Sequence, residues 1–278
     1  PGALPLLHYE GPALAALDRT PLPTELPVRA GAFVFPESGR DESRVVVLVA
    51  TDGGALAGDA DPAKGTARTD FTILARLKDK TGEVVRKGSQ PYRLAAPAAK
   101  LRGDVLFFRQ PTVPPGTYTL EYVIHDAMTS RASAGTIPVV VPGPVKDQPQ
   151  VSSLVIVRRT ERVPAGERDV TNPLYYGDLL LYPNLGEPVS KRETPALSFA
   201  FSVIPGTAPA RATLTLSQGE RLVGEVPLTL GTPGADGRIQ HVSQLPLASL
   251  PAGDYTLSVT VTAPGFSETR RVRFHIVE

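Results

Sequence analysis

The residues best suited to acid–base or metal chemistry are few in this sequence, and they lie far apart. The four histidines, His8, His125, His241 and His275, show no His-x-x-x-His spacing, and no His-Glu-x-x-His zinc motif is present. The sequence also lacks the Gly-x-Ser-x-Gly turn of serine hydrolases and the glycine-rich phosphate loops of nucleotide-binding proteins. With no cysteine, thiol catalysis and thiolate metal sites are excluded. We therefore predict that the chain is not an enzyme and holds no cofactor.

A glycine-rich loop carries the best candidate ligands for a metal ion. Asp59 and Asp61 lie two residues apart in this loop, and Asp52 and Asp70 flank it. Calcium prefers about six to eight oxygen ligands, which such loops can supply. However, Lys64 stands where a further acid would help, and no glutamate closes the loop. The preferred interpretation is a solvated loop without a metal, with Asp59 and Asp61 as the candidates if one is bound.

Two clusters of arginines in the second half of the chain could contact an anion or a partner protein. They comprise Arg158, Arg159 and Arg162, and Arg270, Arg271 and Arg273. Because successive side chains of a strand point to opposite faces, each cluster should divide between two faces, its aliphatic stems covering apolar surface. The formal net charge is only +1, and no aromatic residues are interleaved. The sequence therefore argues against nucleic-acid binding.

The composition predicts a folded chain with many turns. The 278 residues suffice for two domains, and 41% of them are hydrophobic. The 29 prolines and 25 glycines exceed ordinary usage but stay below the range of disordered chains. The longest apolar run, residues 45–50, is far shorter than the roughly 20 residues of a membrane-spanning helix. We therefore predict no transmembrane segment.

The elements that must position these residues are strands, because the hydrophobic pattern has a period of two. Alternate residues are apolar between 69 and 77, and Thr81-Gly82 then predicts a hairpin turn. Residues 197–203 alternate in the same way. Such strands bury one face on a core and expose the other. Long helical stripes are absent, so we predict an all-β fold.

A motif of proline, glycine and tyrosine occurs twice. Its members are Pro114, Gly116 and Tyr118 in the first copy and Pro251, Gly253 and Tyr255 in the second. Proline and glycine favour a tight corner between sheets, after which the tyrosine ring packs in the core and its hydroxyl bonds upstream backbone. This arrangement is the tyrosine corner of immunoglobulin-like and fibronectin-type sandwiches. We interpret the six residues as structural corner motifs.

The spacing of this motif indicates an internal duplication. The second copy follows the first by 137 residues, and Gly82-Glu83 recurs as Gly219-Glu220 at the same offset. We therefore predict two tandem immunoglobulin-like or fibronectin-type β-sandwich domains with an extended N-terminal arm. The predicted boundaries are 1–25 for the arm, 26–143 for domain 1, 144–150 for a proline-rich linker and 151–278 for domain 2. The arm is expected to pack on a neighbour through Leu4, Leu6 and Leu7.

The region around the first corner resembles part of a known protein family. It contains Phe107-Phe108-Arg109-Gln110-Pro111, then the corner, then His125-Asp126-Ala127. Over residues 14–278 the chain resembles the C-terminal β-sandwich region of secreted, acidobacterial-type VWFA-related proteins. The Asp-x-Ser-x-Ser metal motif of their von Willebrand factor A domain is absent, since the similar stretch at Asp41 departs at its last position. The resemblance implies an extracytoplasmic accessory module without catalytic activity.

These observations favour a non-enzymatic module that binds a protein partner or serves as a subunit or spacer in an assembly, with the arm as a possible contact. The alternative is a polysaccharide-binding or enzyme-accessory module, which a row of exposed tyrosines at Tyr175, Tyr176 and Tyr182 would support. An enzyme with a dispersed site ranks last. It would need a deep pocket that combines His125 or His241 with carboxylates.

Overall fold

Strands make up most of the regular structure. The computed structural model describes residues 5–56, 58–61, 65–97 and 100–278, without the side chains of 58–61. One α-helix, α1, spans Gly11–Leu17, and short 3-10 segments span Gly53–Leu56 and Ala165–Glu167. The strands of the first half are β1 Arg29–Pro36, β2 Ser43–Asp52, β3 Gly58–Asp61, β4 Thr66–Asp79, β5 Val84–Pro97, β6 Asp104–Arg109, β7 Thr112–Val113, β8 Gly116–Asp126 and β9 Ala132–Val141. Those of the second half are β10 Gln150–Val151, β11 Val155–Arg162, β12 Tyr175–Tyr176, β13 Leu179–Pro183, β14 Val189–Ser190, β15 Ala196–Ile204, β16 Arg211–Gln218, β17 Arg221–Leu228, β18 Ile239–Pro246, β19 Gly253–Ala263 and β20 Phe266–Val277.

The contacts divide the chain into two compact units. Unit 1 comprises Pro1–Ala32, Val45–Pro111 and Gly116–Val141. Unit 2 comprises Phe33–Arg44, Thr112–Pro115 and Pro142–Glu278. The residues of the predicted linker are hydrogen-bonded within unit 2, where Thr207 N–H donates to the carbonyl of Asp147 at 3.1 Å. The predicted domain boundaries remain a prediction.

Unit 1 contains two sheets. One has the order β3-β4-β8-β9 with β5 on β4. The other has the order β1-β2-β6, of which unit 1 holds residues 29–32 of β1, β2 from Val45 onward and all of β6. All pairings recorded between β4, β5, β8 and β9 are antiparallel. Phe71, Ile73 and Leu77 of β4 are buried on one face, as the alternation predicted. The hairpin at Thr81-Gly82 is confirmed, since β5 pairs with β4 along its length.

The opposite face of the β4 sheet is also covered, which the sequence pattern did not predict. Helix α1 packs Ala13 and Ala16 against Leu74 and Val123. Leu6 and Leu7 are exposed, so the arm contacts this sheet through the helix rather than through these two leucines; Leu4 lies outside the described residues. Because small alanines allow close approach, the helix makes β4 a strand buried on both faces.

A buried carboxylate anchors the segment before the helix. Glu10 is fully buried; it accepts hydrogen bonds from Lys87 Nζ, from Ser89 Oγ at 2.6 Å and from the backbone N–H of Leu7 at 3.0 Å. Lys87 also donates to the carbonyl of Pro5 at 2.7 Å. Burial alone would raise the pKa of Glu10, but the donors outweigh it and lower the pKa below 4.5.

Unit 2 is a two-sheet sandwich. One sheet has the order β10-β15-β11-β13-β12 with β18 on β15, and the other has the order β14-β20-β19-β16-β17. Phe199, Phe201 and Val203 of β15 pack in one cluster with Leu257 and Val259 of β19. The alternation of apolar residues therefore joins the two sheets across one core. Ala200 and Ser202, expected to be exposed, are buried as well.

The corner tyrosines lie at the start of equivalent strands. Tyr255 is buried at the start of β19, and its hydroxyl donates to the carbonyl of Pro251 at 2.9 Å. Tyr118 is buried at the start of β8, with its ring close to the backbone of Gly116. A Cβ atom at Gly116 would lie 3.2 Å from the Tyr118 hydroxyl, so glycine there lets the ring pack closely on the backbone. In both units the tyrosine strand lies at an interior position of its sheet.

The duplicated sheets share a strand order but differ by two residues in register. The order β5-β4-β8-β9 in unit 1 matches β17-β16-β19-β20 in unit 2. Leu77 pairs with Leu120 in one sheet, and Leu216 pairs with Leu257 in the other. The loop between β4 and β5 is longer than the loop between β16 and β17. The hydrogen bond from Asp79 N–H to the Glu83 carbonyl closes the longer loop. A shift of two residues leaves every side chain on the same face.

The predicted fold class is confirmed. The chain is all-β, with β-sandwich domains of immunoglobulin or fibronectin type. The described residues contain a single short α-helix, and strands form the sheets and the core. The alternation and the corner motif therefore carried enough information for the architecture.

Replacing Tyr255 with Phe removes one hydroxyl and leaves the ring in place. We expect the free energy of unfolding to fall by about 1 kcal/mol, because the buried hydrogen bond to Pro251 is lost. Tyr182→Phe is the control; its side chain lies at the surface, so the expected change is about 0.5 kcal/mol or less. Urea denaturation measures both variants, and equal effects would contradict a structural role for the corner.

Protonation of Glu10 should release α1. The lowered pKa means that the carboxylate stabilises docking above about pH 4.5, and this contribution is lost as the pH falls through the lowered pKa. At pH 7, Glu10→Gln should speed amide hydrogen exchange in residues 11–17 by about tenfold, since charged hydrogen bonds are lost. Glu83→Gln, an exposed control, should change nothing. An unaltered exchange rate in Glu10→Gln would disprove the anchor.

Candidate functional site

The acidic loop predicted as a metal candidate is only partly described. Asp59 and Asp61 lie in β3, and their side chains lie outside the described residues. Asp52, beside the loop, accepts a hydrogen bond from the backbone N–H of Gly54 at 2.9 Å. Among the described residues, no group of three or more His, Cys, Asp or Glu side chains could hold a metal ion. A metal site at Asp59 and Asp61 remains untested.

The two histidines considered for a dispersed catalytic site have structural surroundings. Burial lowers the pKa of His125; Asp126 opposes this effect and Arg19 adds to it. The Asp126 carboxylate accepts hydrogen bonds from Met128 N–H at 2.9 Å and the Thr129 hydroxyl at 2.6 Å, so it is used by the turn. Burial also lowers the pKa of His241, whose ring lies 5.0 Å from that of Phe201. Neither histidine is hydrogen-bonded to a carboxylate in the described residues.

The three tyrosines that could have formed a sugar-binding platform do not form one. Tyr176 is only 6% exposed, and burial raises its pKa. The Tyr182 ring is covered by the guanidinium of Arg159, whose Cζ lies 3.4 Å from the ring centroid. Its hydroxyl donates to Glu161 at 2.8 Å. These rings are therefore unavailable as a flat row for stacking.

A groove in unit 1 is the best candidate binding site. It has a volume of about 240 Å³. Its apolar walls come from Val47 on β2, Ala75 and Leu77 on β4, and Leu120 on β8. Gly88 and Arg109 line it from β5 and β6, the edge strands of the two sheets. The groove thus opens between the sheets, where edge strands leave the core uncovered.

Arg109 supplies the positive charge beside these apolar walls. Its guanidinium donates to the carbonyls of Phe108 at 2.7 Å and Ser89 at 3.1 Å, and to Gln90 Oε1 at 3.3 Å. Its Cζ lies 4.4 Å from the centroid of the Phe107 ring. All of these partners are neutral, and no ion pair of Arg109 occurs within the described ranges. The groove therefore carries a positive charge that no acid in this part of the chain compensates.

Two other cations that line the groove, Arg76 and Lys87, are paired with acids. Arg76 and Lys78 both donate to Glu121, at 2.5 and 2.9 Å, and this interaction lowers the pKa of Glu121 although burial opposes it. Lys87 is paired with Glu10. Arg109 differs from these residues in its neutral acceptors. Arg109 can thus bind a carboxylate of a ligand without first breaking an ion pair.

Glycine at position 88 keeps the groove open. A Cβ atom there would lie 3.0 Å from Arg109 Cγ and 3.2 Å from Arg109 Nε. Such contacts are tight, so any larger side chain must displace the arginine or enter the groove. Gly88 pairs with Ala75, another small residue, on the neighbouring strand. Two small residues side by side therefore create the space.

Sequence reasoning missed this groove because its residues are distant in the chain. Nothing in the sequence marks Arg109 and Gly88, 21 residues apart, as neighbours in space. Their juxtaposition depends on the pairing of β4 with β5 and of β2 with β6. One local feature of the sequence could have indicated the groove. Gly88 interrupts strand β5, and a glycine within a strand often marks a place where another group approaches the backbone.

Comparisons with known proteins give no family for this chain. No known family matches it, and no curated protein is related to it at a significant level. The solved structures to which it is similar include red sea bream transglutaminase, with 11% identity over 92% of this chain and 32% of that chain, at a TM-score of 0.26. Dimeric latent PorU from Porphyromonas gingivalis is 12% identical over 99% of this chain and 21% of that chain, at a TM-score of 0.34. The fibronectin(III)-like modules of Clostridium thermocellum CbhA are 11% identical over 90% of this chain and 95% of that chain, at a TM-score of 0.24.

These likenesses carry no argument about function. The chain spans about a third of the transglutaminase and about a fifth of PorU. All three TM-scores are below 0.5. Within the part of the chain that the structure describes, no helix has the length and apolar character that crossing a membrane requires. The functional argument therefore depends on the groove itself.

Arg109→Met should destabilise unit 1 while keeping an aliphatic stem. We expect a loss of about 2 kcal/mol, because the two hydrogen bonds to Ser89 and Gln90 of β5 and the one to Phe108 within β6 are removed. Arg93→Met is the control: Arg93 forms an exposed ion pair with Asp70 at 3.3 Å, and such pairs contribute about 0 to 1 kcal/mol. Urea denaturation compares the two. Equal losses would show that Arg109 does not hold the two edge strands together.

Proposed function

We propose that this chain is a non-enzymatic interaction module that receives a protein partner in the groove of unit 1. The observation that carries the proposal is the combination of buried aliphatic walls with the Arg109 guanidinium, which has neutral partners only. Interfaces gain most of their affinity from a few side chains that fill such pockets, with arginine prominent among them. The absence of catalytic motifs from the sequence agrees with this proposal.

The dimensions of the groove favour a side chain over a free cofactor. Its volume of about 240 Å³ is below the roughly 300–1,000 Å³ of sites for drug-sized ligands. One large apolar side chain can fill the space that Leu77 and Leu120 line. A carboxylate next to it can reach Arg109. The partner should therefore present an apolar residue beside Asp, Glu or its own C-terminal carboxylate.

A location outside the cytoplasm is part of the same proposal. It is supported by the resemblance of residues 14–278 to the C-terminal region of secreted VWFA-related proteins. The absence of cysteine does not bear on this point, because a chain with sufficient core needs no disulfides in an oxidising compartment. The role as a subunit or spacer within an assembly follows the same resemblance.

Selection of peptides on the full chain tests the proposed function. We expect a random peptide library to yield sequences with an apolar residue next to an acidic residue or a C-terminal carboxylate. Calorimetric titration with a selected peptide should give binding that Gly88→Leu weakens at least about tenfold, because the new side chain occupies the groove.

Gly224→Leu is the matched control for this experiment. Gly224 also lies in a strand, β17, and a Cβ atom there would meet nothing within 4 Å. This variant should bind the selected peptide with unchanged affinity. If no peptides are enriched, or if Gly88→Leu binds as well as the unaltered chain, the groove is not the binding site.

A further inference from the structure

The solvent side of one sheet in unit 2 has a regular polar composition, independent of the groove. Strands β16, β19 and β20 place their outward residues in four rungs of three, here called the arginine–hydroxyl face. The rungs are Ser217–Thr256–Arg273, Thr215–Ser258–Arg271, Thr213–Thr260–Thr269 and Arg211–Thr262–Ser267. Nine hydroxyl side chains and three arginines thus form the face. It contains no apolar, aromatic or acidic side chain.

The arginines of this face have no acidic partners within the described ranges. Arg211, Arg271 and Arg273 are exposed and form no ion pair there. Other arginines of unit 2 are paired: Arg158 with Glu187 at 3.0 Å, and Arg162 with Asp178 at 2.7 Å. The arginine–hydroxyl face therefore carries three uncompensated positive charges.

The acids that border the face, Asp254 and Glu225, form no ion pair with its arginines. Asp254, at one end, is bonded to His275 at 2.7 Å. Glu225, on β17, pairs with Thr215 at the lateral edge of the face. Both carboxylates lie outside the four rungs. The division of Arg270, Arg271 and Arg273 between faces agrees with the sequence prediction, since Arg270 turns inward to the carbonyl of Val151 at 2.9 Å.

The hydroxyl groups are available for a ligand. Thr260 and Thr269 form a side-chain hydrogen bond at 2.9 Å. The other seven hydroxyl side chains make none within the described ranges. A hydroxyl can donate to an anionic oxygen and accept from a sugar hydroxyl. Strand spacing of about 4.8 Å and a rise of about 3.4 Å per residue give a face about 10 Å wide and 20 Å long.

We propose that the arginine–hydroxyl face binds an acidic polysaccharide, one that carries sulfate or carboxylate groups. Three arginines match the charge of such a chain, and the hydroxyls match its sugars. A protein partner would require apolar or aromatic anchors, which the twelve residues of the face lack; the exposed Leu222 of β17 lies beside one corner, next to Ser217. Single-stranded nucleic acid is bound through stacking on aromatic rings, also absent here, and a flat sheet cannot enter a duplex groove. Recognition by charge also differs from the tyrosine platform considered from the sequence.

Heparin, a sulfated polysaccharide, is the probe for this proposal. We expect the full chain to bind it with an affinity that falls as salt rises. The double variant Arg271→Ser, Arg273→Ser should weaken binding by about tenfold and reduce the slope of log Kd against log salt by about two, one for each lost contact. Both residues are exposed, so the melting temperature should remain unchanged. Arg211→Ser, at the far rung, provides a second, single-site variant with a smaller loss.

A matched double variant controls for net charge. Arg158→Ser, Arg162→Ser removes the same charge from β11 of unit 2 and should leave heparin binding within about twofold. Neutral dextran should not bind, and poly(dT) should bind at least tenfold more weakly than heparin. Equal losses in the two double variants, or no heparin binding at all, would overturn the proposal. Binding of poly(dT) as tight as that of heparin would reject the preference for a polysaccharide.

Discussion

The structure depends on one constraint: successive side chains of a strand point to opposite faces, and the tyrosine corner fixes where the strand begins. Tyr255 enters the core at the start of β19 and bonds to Pro251, which sets the buried face of every later residue in that strand. The register of the sheet differs between the duplicated units by two residues, so their buried faces stay equivalent. Each sheet consequently buries one face in a core, whereas the residue types on its other face can differ between the units.

The two units use this freedom differently. In unit 1 the outer face of β4 and β8 is covered by α1, anchored through the buried Glu10 carboxylate. Its open edge contains the groove, because Gly88 and Ala75 leave space that larger side chains would fill. In unit 2 the outer face of β16, β19 and β20 carries hydroxyls and arginines instead. Duplication of one architecture thus supports two chemically distinct surfaces.

Local patterns in the sequence predicted the fold better than the site. The period of two at residues 69–77 and the turn at Thr81-Gly82 depend on near neighbours, so both could be read directly. Strands β5 and β18 have weak period-two patterns, because glycine, proline and polar residues interrupt them. The ion pair of Glu10 with Lys87 and the approach of Arg109 to Gly88 arise from strand pairing between distant segments. No local pattern encodes such contacts.

We propose that an apolar side chain of a partner enters unit 1 beside Arg109. Methyl NMR spectra of the full chain, recorded during titration with a selected peptide, test this claim most directly. If the side chain enters the groove, we expect the methyl resonances of Val47, Leu77 and Leu120 to shift together. Those of Leu257 and Val259 in the core of unit 2 should stay unchanged. Shifts confined to unit 2, or a peptide that binds without moving the three groove residues, would contradict it.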